Sequence, residues 1–458
     1  MYLQGYAGIS SASANAIPMR RLLSYGFGLL LLLVVWGDEG ASRLAPRYEA
    51  SLERPITTRG VYVIRNVTVH PITASPIEGA TVVIRDGKIA AVGKNVAVPR
   101  GARVYDGKGN HLYPGYIDAC TTLGLTEIGS IAATIDATEA GQFNPNSRAE
   151  IALNPDSELI PVTRVNGTTT VVATPTGGVF SGMGCVMNLD GWTWEEMVIK
   201  TPIGLFMNFP APSAAPNQSA ESRRRDWESR VRPVNEFLED ARRYLRAHQA
   251  AGKDGIPAHE RDPRFDAMIP ILEGKLPIFV RVNSALGIQA ALRWAEEQKL
   301  RIVIVGGSEA WRVADLLREK QVPVILEGVH NMPSAESEPY DEPFVLPKRL
   351  HEKGVQFCIA SNDASNARNL PYHVATAVAY GLPHEEAIKA ITLYPAQILG
   401  IAHRLGSIEV GKDANLVLLS GDPLEIRTEV VQVWIAGRPI EMTSKHIRLY
   451  ERYRKRPK

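Results

Sequence analysis

Apolar and polar residues alternate near both ends of the chain, with the two-residue period of half-buried β-strands. The strands predicted toward the N-terminus are 60–69, 79–85, 88–93 and 103–106. Toward the C-terminus the pattern predicts a strand within 406–419 and a hairpin over 430–440. Neither group can bury a core alone, so we expect 59–113 and 405–445 to fold together as one composite β-sandwich.

Between these ends, short apolar runs alternate with stretches of helical periodicity. The predicted strands are 116–120, 168–174, 185–189, 204–209, 278–282, 302–306, 322–326 and 356–360. Eight parallel strands with crossover helices predict an α/β fold, a TIM (β/α)8 barrel spanning 114–404. A doubly wound sheet is the alternative, and it is weakened because no glycine-rich nucleotide fingerprint follows the first strand.

Residues 211–265 interrupt this alternation. A Pro-, Ser- and Ala-rich stretch at 211–222 predicts a loop, and the charged stretch 223–246 has helical spacing. Its apolar points are Trp227, Val231, Val234, Phe237 and Tyr244. We expect a helical insertion over the barrel mouth; a solvated surface helix without a gating role explains the pattern equally well.

Charge and cysteine content narrow the classes of function. Lys plus Arg number 51 against 49 Asp plus Glu, so nothing in the overall charge favours a nucleic-acid partner. The three cysteines, Cys120, Cys185 and Cys358, lie in or beside apolar runs, and we interpret them as small buried residues.

The first residues have the order of a secretory signal. Met19-Arg20-Arg21 precedes an apolar run over 22–36, and small residues follow. The run is shorter than the ~20 residues that normally span a bilayer. We therefore predict a signal peptide, or alternatively an uncleaved N-terminal anchor, over 1–42 and a periplasmic or other extracytoplasmic location. A linker is predicted at 43–58 and a basic tail at 446–458.

Three segments resemble the amidohydrolase superfamily, nearest to its imidazolonepropionase-like branch. They are P-G-Y-I-D-A over 114–119, N-G-T-T-T-V over 166–171, and T-x-x-P-A-x-x-L-G over 392–400 followed by G-S-I-E-V-G-K-D-A-N over 406–415. The resemblance covers roughly residues 60–440. It implies hydrolysis of a non-peptide C–N bond in an amide-like substrate by metal-activated water.

The resemblance also implies metal ligands at the strand ends: two His after strand 1, a carboxylated Lys or Glu after strand 4, His after strands 5 and 6, and Asp after strand 8. The matching positions here hold Cys120, Thr122, Asn208, Arg281 and Gly306, and only Asp363 is retained. A lone carboxylate binds a divalent transition metal weakly. No metal cofactor is therefore expected, and zinc only if a non-standard site forms from Cys120, His330, His373 and Asp363.

Arg281 suggests a replacement for the metal. Our hypothesis is that its guanidinium fills the metal's place and pairs with Asp363, because a buried carboxylate without a counter-charge is costly. The alternative is that Arg281 points to solvent.

These residues predict an exported amidohydrolase-family protein with a degraded metal centre and weak or lost activity, in which Asp363 is the one catalytic residue kept. The alternative is a non-catalytic subunit or ligand-binding protein paired with an active relative. The partners expected are a small amide-like ligand and a homo-oligomer, or a hetero-oligomer with that relative.

Overall fold

Two hydrogen-bonded sheets organise the computed structural model, which describes residues 51–213, 218–250, 260–333 and 338–457. The predicted signal peptide or anchor at 1–42 and the first half of the predicted linker, 43–50, lie outside the described residues. Within the described ranges, no helix is long and apolar enough to cross a lipid bilayer.

Strands of the β-rich domain come from both ends of the described chain, and the barrel strands lie between them. The strands are β1 Leu52–Glu53, β2 Val61–Val69, β3 Ile77–Arg85, β4 Lys88–Gly93, β5 Arg103–Asp106, β6 His111–Pro114, β7 Tyr116–Thr121, β8 Thr168–Ala173, β9 Phe180–Asn188, β10 Val198–Asn208, β11 Ile278–Val282, β12 Ile302–Gly306, β13 Val324–Glu327, β14 Phe357–Ala360, β15 Leu416–Leu419, β16 Val430–Ile435 and β17 Arg438–Pro439.

Most helices follow barrel strands and form the outer layer. They are α1 Leu159–Arg164, α2 Trp194–Met197, α3 Ala220–Ala250, α4 Pro263–Leu272, α5 Ala285–Gln298, α6 Ala314–Glu319, α7 Glu342–Glu352, α8 Leu370–Ala379, α9 His384–Lys389, α10 Leu393–Ile398 and α11 Lys445–Tyr453. Short 3-10 turns occupy Ala132–Thr134, Ala149–Ala152, Ala310–Val313 and Ala367–Asn369.

Strands β7 to β14 form the barrel sheet, and each pairs with its neighbours in chain order. The two ends of this sheet meet where the amide of Asn362 donates to the carbonyl of Cys120 at 2.9 Å, so the barrel is nearly closed. The predicted α/β fold with an eight-stranded barrel is confirmed. Strands β11 and β12 have the bounds that the sequence pattern predicts.

Strand β9 departs from the prediction of eight parallel strands, because it runs antiparallel to both β8 and β10. Only residues 174–179 join β8 to β9. A parallel crossover needs about a dozen residues or more, whereas so short a connection returns the chain as a hairpin. The mouth of the barrel therefore carries the start of β9 beside the ends of its neighbours.

The barrel interior is filled by side chains in layers, since successive residues of a strand point to opposite faces. One buried layer contains Val172, Phe206, Phe279, Ile325 and Cys358. Two positions further along β8, β10, β11 and β13, the same face presents Thr174, Asn208, Arg281 and Glu327. An apolar plug thus lies below a polar layer at the mouth.

The second sheet joins the two ends of the described chain, in the order β17-β16-β15-β6-β2-β3-β4, with β5 also paired to β2. Strand β15 pairs with β6 on one side and β16 on the other. The Tyr105 ring meets the Trp434 ring edge-on at 5.2 Å, although their strands are not neighbours, so the sheet curls around its own core. The predicted composite β-rich domain is confirmed.

Asn415 connects this sheet to the barrel. Its amide nitrogen donates to Thr170 Oγ1 at 3.0 Å and to Asn188 Oδ1 at 2.6 Å, and its oxygen accepts from the amide of Ala436 at 2.8 Å. The residue is buried, so these bonds satisfy an amide that would otherwise be costly to bury.

Helix α3 packs against α4 and α5: the Trp294 indole donates to Asn235 at 2.9 Å, and Arg242 donates to Gln298 at 2.8 Å. Its Phe237 ring also lies 5.6 Å from the ring of Phe180, the first residue of β9, so the helix reaches the mouth end of the barrel wall. The apolar residues recur at three- and four-residue spacing, and such a stripe buries against neighbouring helices. The stripe includes the buried Val231, Val234, Leu238 and Ala241.

Candidate functional site

Cys120 lies near the end of β7, at the centre of the polar layer. Its Sγ is 3.5 Å from Arg281 Nη2, 3.8 Å from Asn362 Oδ1 and 3.9 Å from Glu327 Oε1. Burial raises the pKa of the thiol to about 12; the nearby Arg281 opposes this shift and Glu327 adds to it. At physiological pH this burial favours the neutral thiol over the thiolate that would act as a nucleophile.

Arg281 pairs with Glu327, with Nη1 and Oε1 3.0 Å apart. The two side chains are only 18% and 16% exposed. Burial raises the pKa of Glu327, and the guanidinium charge of Arg281 counters this effect. The hypothesis that Arg281 pairs with Asp363 is wrong about the partner, because the carboxylate that compensates it comes from the end of β13.

The Asp363 carboxylate instead accepts hydrogen bonds from residues of its own loop. Its Oδ1 accepts from the amides of Ser365 at 2.6 Å and Asn366 at 3.0 Å, and its Oδ2 accepts from the Asn366 side chain at 2.9 Å. These bonds organise the turn before the Ala367–Asn369 helix. A carboxylate satisfied by nearby amides has no need of a guanidinium partner.

Gly306, at the end of β12, lies between the strands that carry Arg281 and Glu327. Its φ is +93°, and a Cβ there would stand 2.4 Å from Asn283 Oδ1 and 3.4 Å from Glu327 Oε2. The absence of a side chain leaves room for Arg281 and Glu327 to meet across β12. A histidine at this position would require Asn283 to move.

Asn208 and Thr122 occupy the other two predicted positions. Asn208 Nδ2 donates to the carbonyl of Gly178 at 2.8 Å and to Ser181 Oγ at 3.3 Å, which ties β10 to the loop between β8 and β9. Thr122 is partly exposed, one residue beyond β7. Neither residue contacts the Arg281–Glu327 pair through a hydrogen bond.

His330 and His373 do not join Cys120 and Asp363 in a rebuilt metal site. His373 Nδ1 accepts from the amides of Val329 at 3.0 Å and His330 at 3.3 Å. His330 Nε2 bonds Thr376 Oγ1 at 2.7 Å. Among the residues described, no group of three or more His, Cys, Asp or Glu side chains is placed to hold a metal ion.

Asp118 lies beneath this layer and helps close the barrel. It is fully buried and accepts from Ser361 Oγ at 2.5 Å, from the Ser361 amide at 3.0 Å and from the Cys120 amide at 3.3 Å. Burial raises the pKa of Asp118 to about 7, although its bonds from Ser361 act in the opposite direction. The Asp of the P-G-Y-I-D-A segment thus fixes β7 against β14.

Glu327 is the residue that the sequence interpretation missed. It ends the strand V-I-L-E, and a lone acidic residue after an apolar run is the available signal. Charged residues at the C-terminal ends of barrel strands face the mouth, so this position deserved the same weight as Arg281. After this strand, the sequence analysis named only His330, further along the loop, as a candidate site residue.

A separate cavity of about 610 Å³ lies between the β-rich sheet and α9, away from the barrel mouth. His70, His111, His384 and Asp422 contribute to its wall. His70 Nε2 is 2.9 Å from His111 Nδ1, and His384 Nε2 is 2.7 Å from Asp422 Oδ2, so four of the polar groups are paired among themselves. We assign no chemistry to this cavity.

Comparison with known proteins identifies the family. Residues 296–441 match the model of the Amidohydrolase family. The crystal structure of an amidohydrolase from Thermotoga maritima superposes with a TM-score of 0.73 at 28% identity, covering 83% of this chain and 99% of that one. These two matches support the amidohydrolase superfamily for this chain.

Two curated relatives extend over most of the chain. Amidohydrolase tasK of Hapsidospora irregularis is 26% identical over 393 residues, which is 77% of this chain but 39% of tasK. The chain thus spans about two fifths of the length of that relative. The imidazolonepropionase of Thermoanaerobacter pseudethanolicus is 23% identical over 373 residues, covering 75% of this chain and 84% of the relative.

Proposed function

We propose that this protein binds a small amide-like ligand at the barrel mouth and has weak or no metal-dependent hydrolase activity. The observation that carries the proposal is the Arg281–Glu327 ion pair, with its 3.0 Å contact, in the layer where the superfamily assembles its metal centre. If the metal-dependent activity is lost, the protein would act as a non-catalytic subunit, in a hetero-oligomer with an active relative.

The residues at the mouth do not fit a divalent transition ion. Such an ion needs anionic or neutral lone-pair ligands, and hydrolysis needs the ion to lower the pKa of bound water to about 7. Here the Glu327 charge is already compensated by Arg281, and both Asp363 oxygens accept hydrogen bonds. The Arg281 guanidinium adds a permanent positive charge that repels a divalent cation.

The same pair supports binding of an amide group. The Arg281 and Glu327 side chains remain 18% and 16% exposed, and the hydrogen bonds from described residues to Glu327 go to its Oε1 oxygen. A guanidinium donor beside a carboxylate acceptor complements the C=O and N–H of an amide.

Metal analysis tests the catalytic half of the proposal. The full chain, incubated with excess zinc and then gel-filtered, should retain far less than one equivalent. It should not cleave a panel of N-acyl amino acids, lactams and hydantoins faster in added zinc or manganese than in a chelator. Stoichiometric zinc, together with cleavage that Asp363→Ala abolishes, would overturn the proposal.

Calorimetry on the same amide panel tests the binding half. We expect a bound amide to lose at least about tenfold in affinity with Arg281→Met or Glu327→Gln, because each variant removes one of its two hydrogen bonds. Arg301→Met is the matched control, since Arg301 lies at the opposite end of the barrel and donates to the carbonyl of Gly274. Equal affinity in all three variants would exclude binding at this pair.

A further inference from the structure

Helix α11, Lys445–Tyr453, lies on the surface with none of its residues buried. The Ser444 side chain caps it by accepting from the amide of Ile447 at 3.4 Å, and Arg448 pairs with Glu158 at 3.2 Å. These contacts hold one side of the helix to the protein. The opposite side of the helix remains largely exposed in the described part of the chain.

That free side is apolar and aromatic. Leu449, Tyr450 and Tyr453 lie on one face by helical spacing, and they are 38%, 65% and 61% exposed. Arg452 and Arg454 flank this face and lie 5.7 Å and 5.8 Å from the rings of Tyr453 and Tyr450. An amphipathic helix normally buries its apolar face, so the exposed apolar face of α11 is suited to binding another surface.

The charge of the same segment is concentrated and positive. Residues 445–458 contain seven Lys and Arg and one Glu, a formal charge of +6, whereas the whole chain carries only +2. The rest of the protein is therefore net negative. A positive field of this kind attracts negatively charged surfaces.

Trp192 extends this surface beyond the helix. It follows β9 and is 86% exposed, so its large aromatic side chain is held almost wholly in solvent. It lines the same surface cavity of about 380 Å³ as Arg448 and Glu158, so it lies beside α11. Tryptophan and tyrosine rings are enriched where protein enters the headgroup region of a bilayer.

We propose that α11, the basic tail and Trp192 form a docking surface for a bilayer of anionic phospholipid. Basic residues around an exposed apolar helix face are the pattern of a helix that lies in the membrane interface. The basic groups face lipid phosphates while Leu449 and the aromatic rings enter the headgroup layer. This inference does not depend on the function of the barrel mouth.

Vesicle flotation of the full chain tests the proposal. Phosphatidylcholine vesicles with added phosphatidylglycerol should bind more protein than phosphatidylcholine alone, and high salt should remove the difference. Each basic residue near an anionic surface strengthens binding about fivefold, so the triple variant Arg452→Glu, Arg454→Glu, Lys455→Glu should weaken it roughly a hundredfold or more. Tyr450→Ser with Tyr453→Ser should weaken binding with charge unchanged.

A matched control carries the same charge reversal elsewhere. The control variant Arg224→Glu, Arg225→Glu, Arg230→Glu changes three exposed residues of α3 and should leave vesicle binding unchanged. The apolar run at 22–36 is present in every variant, so it cannot be the source of a difference between them. The proposal is wrong if the tail variant floats as well as the wild type, or if the chain binds heparin but no vesicle. Circular dichroism confirms that each variant is folded.

Discussion

Arg281 on β11 reaches Glu327 on β13 across the intervening strand β12, with a nitrogen–oxygen distance of 3.0 Å. The contact is available because β12 ends in Gly306, which has no side chain to separate the two groups. The cation, the carboxylate and the glycine therefore form one unit. Changing any one of them should affect the other two.

A double-mutant cycle on the pair should reveal strong coupling. Removing one member leaves a largely buried charge uncompensated, so Arg281→Met or Glu327→Leu alone should lower the free energy of unfolding by about 2–4 kcal/mol. The double variant should cost much less than the sum of the two. Urea denaturation followed by tryptophan fluorescence measures all four proteins, and additive costs would show that the ion pair contributes nothing.

Substitution of Gly306 should be costly for two separate reasons. Gly306→Ala meets both a left-handed backbone and an oxygen 2.4 Å from the new Cβ, so we expect a loss of about 2–4 kcal/mol. Gly274→Ala is the control, because its φ is +70° but nothing lies within 4 Å. That variant should lose about 1 kcal/mol from backbone strain alone. Equal melting temperatures for the two variants would contradict the crowding at Gly306.

The three cysteines should be inert in the folded protein. All are buried and unpaired, and burial raises the pKa of each thiol. Ellman's reagent at neutral pH should therefore label almost none of them until denaturant is added, when all three should react. Rapid labelling of one thiol in the native protein, mapped by mass spectrometry to Cys120, would indicate an accessible barrel mouth.

His373 should make stability fall on acidification. Burial, assisted by the neighbouring His330, lowers the pKa of His373 from 6.5 to about 4. The unfolded chain thus takes up this proton first, so the contribution is complete above pH 6.5 and is lost as the pH falls toward 4. The loss amounts to at most about 3 kcal/mol.

His373→Asn isolates this effect, because Asn keeps an acceptor near the position of Nδ1 but does not titrate. Chemical denaturation at several pH values should find the wild-type advantage over the variant shrinking between pH 6.5 and 4. An advantage that stays constant across this window would mean that His373 is not held neutral by the fold.

The fold could be predicted from the sequence because its signals are local. Short stretches of sequence are enough to predict a strand. Examples are the alternating pattern in β2 and β3 and the apolar runs of β11 and β12. The direction of β9 was missed, since a short apolar run looks the same in either orientation. The contact between Arg281 and Glu327 was also missed, because the two residues are far apart in the chain.

The sequence by itself pointed to the amidohydrolase resemblance and to the barrel with its added β-rich domain. Those properties depend on periodicity and motif spacing, which can be read directly from the order of the residues. The tertiary structure alone decided which carboxylate faces Arg281 and that Asp363 serves its own loop. The physical reason is that the strength of an ion pair depends on the distance between the two charges and on their burial. Both quantities are set only when the barrel strands have packed around the core.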